Sequence, residues 1–94
     1  MIVIKSHKDK IRLKKIRIRC WRRGTKELDL MLGNFADRNL EFFSKKELDY
    51  FEMILAIDDY TLYDWLLGTI EAPKKFEPII NKIISDYKIM VGQP

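Results

Sequence analysis

The chain has 94 residues, with 18 Lys/Arg against 14 Asp/Glu and a formal net charge of +4. This length predicts one domain whose core is too small to enclose a dinucleotide, since ligand pockets occupy about 300–1,000 Å³. The single cysteine, Cys20, excludes an internal disulfide and fits a reducing compartment. The longest apolar runs have four or five residues, which is too short for a membrane span.

The first segment of the chain should be a basic leader followed by a helix. Residues 1–8 are predicted to be a flexible basic leader, and residues 9–91 a single helical domain. Between Asp9 and Trp21 the apolar pattern fits two structures. Leu13, Ile16 and Cys20 form a helical stripe, whereas the alternating, β-branched run at 16–20 favours a strand. The residues alone leave this choice open.

The remaining segments predict further helices. Gly24 interrupts the pattern, either as the end of the first helix or as the N-cap of a second helix over 25–40. Ser44 and Glu47 form a capping box for a third helix over 45–57. Asp58 caps a short fourth helix over 60–67 that Gly68 ends, and a clean 3.6-residue stripe predicts a fifth over 76–91. The fold class is therefore all-α.

Residues with catalytic or metal-binding chemistry are sparse, so we expect no enzyme activity. His7 is the only histidine and has no Ser or Cys nearby, and Cys20 lies on the expected inner face. Asp58, Asp59 and Asp64 are the nearest approach to a metal cluster, and helix capping with solvation accounts for them more simply.

The charge of the chain is unevenly distributed. Residues 1–27 contain eleven Lys/Arg and two Asp/Glu, whereas residues 28–94 have a net charge of −5. Three interpretations of this basic segment remain: a solvated face, a nucleic-acid footprint, or a docking surface for an acidic protein. Trp21, beside the arginines, is either an interface anchor or a core residue.

The most informative motif stands where the basic segment meets the second helix. It reads Trp21-Arg22-Arg23-Gly24-Thr25-Lys26-Glu27-Leu28-Asp29, and within it Arg23-Gly24-x-x-Glu27 resembles the signature of the SdhE/succinate dehydrogenase assembly factor 2 family. The resemblance continues through Phe35-Ala36-Asp37, Ser44-x-x-Glu47 and Asp58-Asp59-x-x-Leu62-Tyr63-x-Trp65-Leu66-x-Gly68, so that it covers roughly residues 12–70.

The resemblance implies a compact five-helix domain that is not an enzyme. Such factors bind the flavoprotein subunit of succinate dehydrogenase, or of fumarate reductase, and promote covalent attachment of its FAD. The implied partner-binding residues are Trp21, Arg22, Arg23, Gly24, Lys26, Glu27 and Asp29. We expect Arg23 to offer a fork to a partner carboxylate or carbonyl, and Gly24 to let the partner's backbone approach.

The expected partners follow from the same resemblance, and the expected compartment follows from the short leader and Met1. No cofactor is expected on this chain, because FAD acts in the partner subunit. We expect a protein that binds no nucleic acid, spans no membrane, is monomeric when free and works in a bacterial cytoplasm rather than a mitochondrial matrix. The alternatives are a small basic nucleic-acid-binding module and an antitoxin-like interaction protein.

Overall fold

The computed structural model describes residues 6–92, and their regular structure is entirely helical. The helices are α1 (His7–Trp21), α2 (Lys26–Asn39), α3 (Lys45–Leu55), α4 (Asp59–Leu67) and α5 (Glu77–Met90), with a short 3₁₀ turn at Leu40–Phe42 after α2. The predicted all-α class with five helices is confirmed, and no strand occurs between residues 6 and 92.

The sequence predicts a first helix near residues 10–21, and helix α1 begins three residues earlier, at His7. Ser6 caps it in a capping box with Asp9: the Ser6 hydroxyl accepts from the Asp9 N–H at 3.2 Å, and the Asp9 carboxylate accepts from the Ser6 N–H at 3.3 Å. Residues 6–8 therefore form the cap and first turn, which corrects the predicted boundary of the leader at residue 8. Residues 1–5 of the predicted leader lie outside the described part of the chain.

The helical alternative for residues 9–21 is confirmed. Leu13, Ile16 and Cys20 point into the core with at most 3% of their surface exposed, which is the stripe that a 3.6-residue period places on one face. Burial of this face against α2 and α3 outweighs the strand preference of the β-branched residues, because propensity is a weak prior beside tertiary packing.

The other helix ends shift by one or two residues from the predicted bounds. Helix α2 begins after Thr25, whose hydroxyl accepts from the Leu28 N–H at 3.3 Å, so Thr25 and not Gly24 is the N-cap. Helix α3 ends at Leu55 because the chain turns there into the Asp58 cap of α4. Gly68 ends α4 in the left-handed conformation, as predicted.

The core lies where α1, α2, α3 and α5 meet, and an aromatic trio forms part of it. The rings of Phe35, Phe43 and Phe51 lie 5.7–5.9 Å apart in tilted or edge-on arrangements. Helix α2 also packs on α5, and α4 packs on α5. These contacts bring the start of α4 close to the connection between α1 and α2, which is where the motif lies.

Candidate functional site

The connection between α1 and α2 is a tight turn built around Gly24. Gly24 has φ +103°, a conformation that residues with a side chain rarely adopt, and no heavy atom lies within 4 Å of where its Cβ would stand. The turn therefore presents its backbone to solvent with open space in front of it. Arg22, Lys26 and Glu27 stand around this turn with exposed side chains.

The side chain of Arg23 points inward from this turn. Its Nε donates to the Asp59 Oδ1 at 3.0 Å, its Nη2 donates to the Ile57 carbonyl at 2.7 Å, and its Nη1 donates to the Leu55 carbonyl. Only 11% of the side chain is exposed. The guanidinium of Arg23 is therefore hydrogen-bonded to acceptors of its own chain, and the fork expected for a partner is occupied from within.

Asp29 holds the other side of the turn. Its carboxylate accepts from the backbone N–H of Arg23 at 2.7 Å, so the first turn of α2 is tied back to the end of α1. Arg23 and Asp29, both predicted as partner-binding residues, are therefore the two residues that fix the geometry of the Gly24 turn. The exposed residues of the motif are held between them.

Trp21 is partly packed and partly exposed, so its proposed role as an interface anchor stays a prediction. Its ring lies against Gly33 of α2 so closely that a Cβ on Gly33 would stand 2.3 Å from the indole Cδ2. The indole N–H faces the Asp37 carboxylate at 3.3 Å, and 37% of the residue remains exposed. Trp21 is therefore packed on α2 along one face and open to solvent along the other.

Glu27 stands in the first turn of α2, with its carboxylate exposed. The Tyr87 hydroxyl of α5 donates to it at 3.4 Å, and partial burial together with this carboxylate raises the pKa of Tyr87. This long contact leaves most of the acceptor capacity of Glu27 free. With Gly24 as the N-cap, Glu27 would be the third residue of α2, whereas the observed Thr25 cap makes it the second.

A shallow depression of about 410 Å³ adjoins the turn. It is lined by five charged residues: Arg19, Arg22, Arg23, Asp58 and Asp59. Asp58 and Asp59 were predicted to cap a helix, and Asp58 does so by accepting from the Thr61 N–H at 3.1 Å. Asp59 instead pairs with Arg23, a role that the residues alone did not reveal because the two are 36 positions apart.

Reactive chemistry is limited in the described part of the chain. The Cys20 thiol is fully buried, and this burial raises its pKa to about 12, so it is a core residue with little thiolate. Among residues 6–92 no group of three or more His, Cys, Asp or Glu is arranged to hold a metal ion. No helix in this range has the length and apolar character needed to cross a bilayer.

The fold and the site together define a class: a small all-helical domain whose motif forms a charged surface turn fixed between α1, α2 and α4. The chain matches the family described as "Flavinator of succinate dehydrogenase" over residues 14–86. It therefore belongs to the SdhE/succinate dehydrogenase assembly factor 2 family.

Relatives with this description occur in bacteria and in mitochondria. The chain is 33% identical over 82 residues to the FAD assembly factor SdhE of Acetobacter pasteurianus, covering 86% of this chain and 75% of that one. It is 42% identical over 71 residues to the Coxiella burnetii SdhE, covering 74% and 85% respectively. It is 30% identical to the mitochondrial succinate dehydrogenase assembly factor 2 of Dictyostelium discoideum, covering 87% of this chain and 57% of that one. No solved structure matches the chain significantly.

Proposed function

We propose that this protein is an assembly factor that binds the flavoprotein subunit of succinate dehydrogenase, or of fumarate reductase, and promotes covalent attachment of FAD to that subunit. Membership of a family of FAD assembly factors supports the assembly role. The observation that supports a docking role for the motif is the Gly24 turn, which is exposed on its outer side and fixed from within by Arg23 and Asp29.

Each exposed residue of the turn has a distinct role in this proposal. Gly24 lets the partner's backbone approach, because open space lies where a side chain would stand. Arg22 and Lys26 donate to acidic or carbonyl groups of the partner, and Glu27 accepts from a partner donor. An interface that requires both donors and an acceptor selects a protein surface over a uniformly negative polymer.

The proposed mechanism is a shift of population in the partner. The factor binds the flavoprotein conformation in which FAD and the attachment residue are aligned, and binding of one conformation raises its share at equilibrium. A pre-organised turn favours this action, since a rigid surface loses little conformational entropy on binding. No residue of this chain then has to perform acid–base or nucleophilic chemistry.

We propose that FAD is held by the partner and not by this chain. The depression beside the turn is lined by charged side chains alone, whereas flavin-sized ligands need a mostly apolar slot with few polar groups. The site therefore does not fit the flavin ring. The purified protein is expected to be colourless, and monomeric by light scattering.

The arrangement of charge on α1 does not favour a nucleic-acid footprint. Arg12 pairs with Asp49 at 2.6 Å and with Glu52, and Arg17 pairs with Glu41 at 3.4 Å. These arginines are therefore engaged by the chain's own carboxylates. We propose the bacterial cytoplasm as the site of action, since the match covers 75% and 85% of the two bacterial relatives but 57% of the mitochondrial one.

A binding experiment with the purified flavoprotein subunit tests this proposal. The subunit, produced in a host that lacks its own factor, is mixed with this protein and passed over a size-exclusion column with light scattering. A one-to-one complex supports the proposal. Separate elution at micromolar concentrations of both proteins, or an equally strong complex with duplex DNA that weakens steeply with salt, contradicts it.

A further inference from the structure

The outward face of α1 has a composition that the turn does not explain. A period of 3.6 residues per turn places Ile11, Lys14, Lys15 and Ile18 on the face opposite the buried Leu13, Ile16 and Cys20. Arg22, the C-cap of α1, follows them at the end of the helix. We name these five residues the outer face of α1. Its two isoleucines, Ile11 and Ile18, are 42% and 44% exposed, although the residues between them on this face are lysines.

The cations from Arg12 to Arg22 divide into two groups. The flanking arginines Arg12, Arg17 and Arg19 each lie within 4.0 Å of a carboxylate of the same chain. Lys14, Lys15 and Arg22, on the outer face, form no ion pair or side-chain hydrogen bond with any described residue. Over residues 12–22 the chain therefore pairs the flanking arginines with its own carboxylates and leaves the outer face with positive charge around an apolar centre.

The outer face is continuous with the proposed docking turn. Arg22 belongs to both: it ends the stripe of the outer face, and it lines the depression beside Gly24 and Asp59. A partner seated on the turn therefore lies next to the last turns of α1. The contact area of the turn alone is small, and a specific protein interface needs roughly 800 Å² from each partner.

We propose that the outer face of α1 is the second half of the interface, and that it receives a segment of the flavoprotein subunit in which acidic side chains flank an apolar centre. The inference rests on the proposed function and adds the chemistry of the partner's surface. Carboxylates of the partner pair with Lys14, Lys15 and Arg22, while its apolar side chains cover Ile11 and Ile18.

The apolar centre discriminates against other acidic partners. A nucleic-acid backbone gains nothing from isoleucines at the middle of its contact, and the outer face has no aromatic ring on which bases could stack. A bilayer requires a wide apolar face for insertion, and two half-exposed isoleucines provide a narrow one. A protein surface with complementary charge and an apolar centre fits both features.

Two variants of the outer face test the inference: calorimetry measures their affinity for the purified flavoprotein subunit, and stopped-flow mixing measures their association rate. For Ile11→Ser with Ile18→Ser, we expect affinity at least about 10-fold weaker than wild type, equivalent to about 1.4 kcal/mol. For Lys14→Glu with Lys15→Glu, we expect association slowed about 10-fold at low salt, with the difference lost near about 0.5 M salt. Circular dichroism melting checks that each variant folds.

Control variants make the same kinds of substitution on α5 and on the loop before it, with one isoleucine replaced in place of two. Ile89→Ser removes an isoleucine that is 77% exposed, and Lys74→Glu with Lys88→Glu reverses two exposed lysines. Both controls should bind like wild type. If wild type binds and the outer-face variants bind equally well, the inference fails while the proposed function stands.

Two further results overturn the inference. Failure of the wild-type protein to bind the subunit removes the proposed function itself and the inference with it. The second result is that the wild-type protein binds vesicles with anionic lipid, or duplex DNA, and that the outer-face variants lose this binding but keep flavoprotein binding. The outer face then serves the lipid or the DNA instead.

Discussion

The guanidinium of Arg23 and the carboxylate of Asp59 lie 2.7 Å apart and join the turn between α1 and α2 to the first residue of α4. The same guanidinium donates to the carbonyls of Leu55 and Ile57 at the end of α3. One side chain thus satisfies carbonyls at a helix end and fixes the position of the turn. Its role in the folded chain is to position the motif.

This network predicts that Arg23→Ala destabilises the fold. The substitution leaves two carbonyls and a carboxylate without their donor, and a hydrogen bond to a charged group contributes about 1.5–3 kcal/mol. We expect a loss of about 2 kcal/mol in the free energy of unfolding, which lowers the Tm by roughly 8–16 °C in a domain of this size. Thermal melting by circular dichroism measures it.

The neighbouring arginine provides the control. Arg22 is exposed and has no described partner, so Arg22→Ala should change the free energy of unfolding by less than about 0.5 kcal/mol. Equal melting temperatures for Arg22→Ala and Arg23→Ala would show that the Arg23 network contributes nothing to the fold.

Gly33→Ala should destabilise the protein, although alanine is the better helix former by about 1 kcal/mol. The added Cβ would stand 2.3–2.6 Å from atoms of the Trp21 ring, which forces the indole away from α2 and from Asp37. We expect a lower Tm and red-shifted Trp21 fluorescence, measured with Trp65→Phe as the background so that one tryptophan reports.

A double substitution separates the ring contact from other effects at Gly33. With Trp21→Ala in place, no ring opposes the new Cβ, so Gly33→Ala should then be neutral or stabilising. A destabilisation of the same size with and without the Trp21 ring would rule out the packing explanation.

Acid should weaken the fold partly through Glu47. The Ser44 N–H, at 3.0 Å, and then Lys82, at 3.1 Å, favour the carboxylate and hold the pKa of Glu47 below its ordinary value of 4.5. Because the folded pKa is the lower one, Glu47 stabilises the fold above the unfolded pKa. This contribution is lost as the pH falls through the folded pKa.

Urea unfolding of wild type and Glu47→Gln measures this contribution. Between about pH 6 and about pH 3 the wild type should lose more stability than the variant, because Gln does not titrate in this range. Other carboxylates contribute equally to both proteins. Parallel losses in the two proteins would contradict the assignment to Glu47.

Glu27→Ala should weaken flavoprotein binding while leaving the fold nearly unchanged. Glu27 is exposed and has one long contact, with Tyr87, so its removal should cost less than about 1 kcal/mol of stability. A charged group that is hydrogen-bonded in an interface contributes about 2–5 kcal/mol, roughly 30- to several-thousand-fold in affinity. Titration calorimetry against the purified subunit measures the affinities of wild type and Glu27→Ala.

Glu71→Ala is the matched control for Glu27→Ala. Glu71 is exposed in the loop before α5 and has no described ion pair, so its removal should not affect binding. A Glu27→Ala variant that binds as tightly as Glu71→Ala would remove Glu27 from the proposed interface.

The sequence predicted the helices because their signals are local. Capping residues such as Ser44 and Asp58, and the apolar stripe of α5, act within one or two turns, and the structure confirms them. The ambiguity at residues 9–21 was settled by burial of Leu13, Ile16 and Cys20, which depends on helices distant in the chain.

The arrangement of the motif could be predicted only in part. The exposure of Gly24 and Glu27 follows from their place at a turn between charged residues. The inward direction of Arg23 depends on carbonyls at Leu55 and Ile57 that are freed only because α3 ends there. Pairing over 32–36 positions has no periodicity, so an arginine in a basic segment looks the same whether it faces the solvent or its own chain.

The Gly24 turn allows a comparison between a backbone effect and a docking effect. Gly24 and Gly68 both have positive φ, +103° and +79°, and open space at the Cβ position. Arginine at either position should therefore lower the free energy of unfolding by a similar amount, about 1–3 kcal/mol for an unfavourable backbone conformation. Only Gly24→Arg should also obstruct the partner, because Gly68 lies at the far end of α4.

Covalent flavin on the succinate dehydrogenase flavoprotein subunit is the most direct test of the central claim. The subunit is produced in a cell that lacks its own factor, and flavin fluorescence is measured on its band after denaturing electrophoresis. We predict fluorescence with the wild-type chain and with Gly68→Arg, and little or none with Gly24→Arg or without the chain. Equal fluorescence with and without the chain would contradict the proposed function, and equal fluorescence with Gly24→Arg would contradict the docking role of the turn.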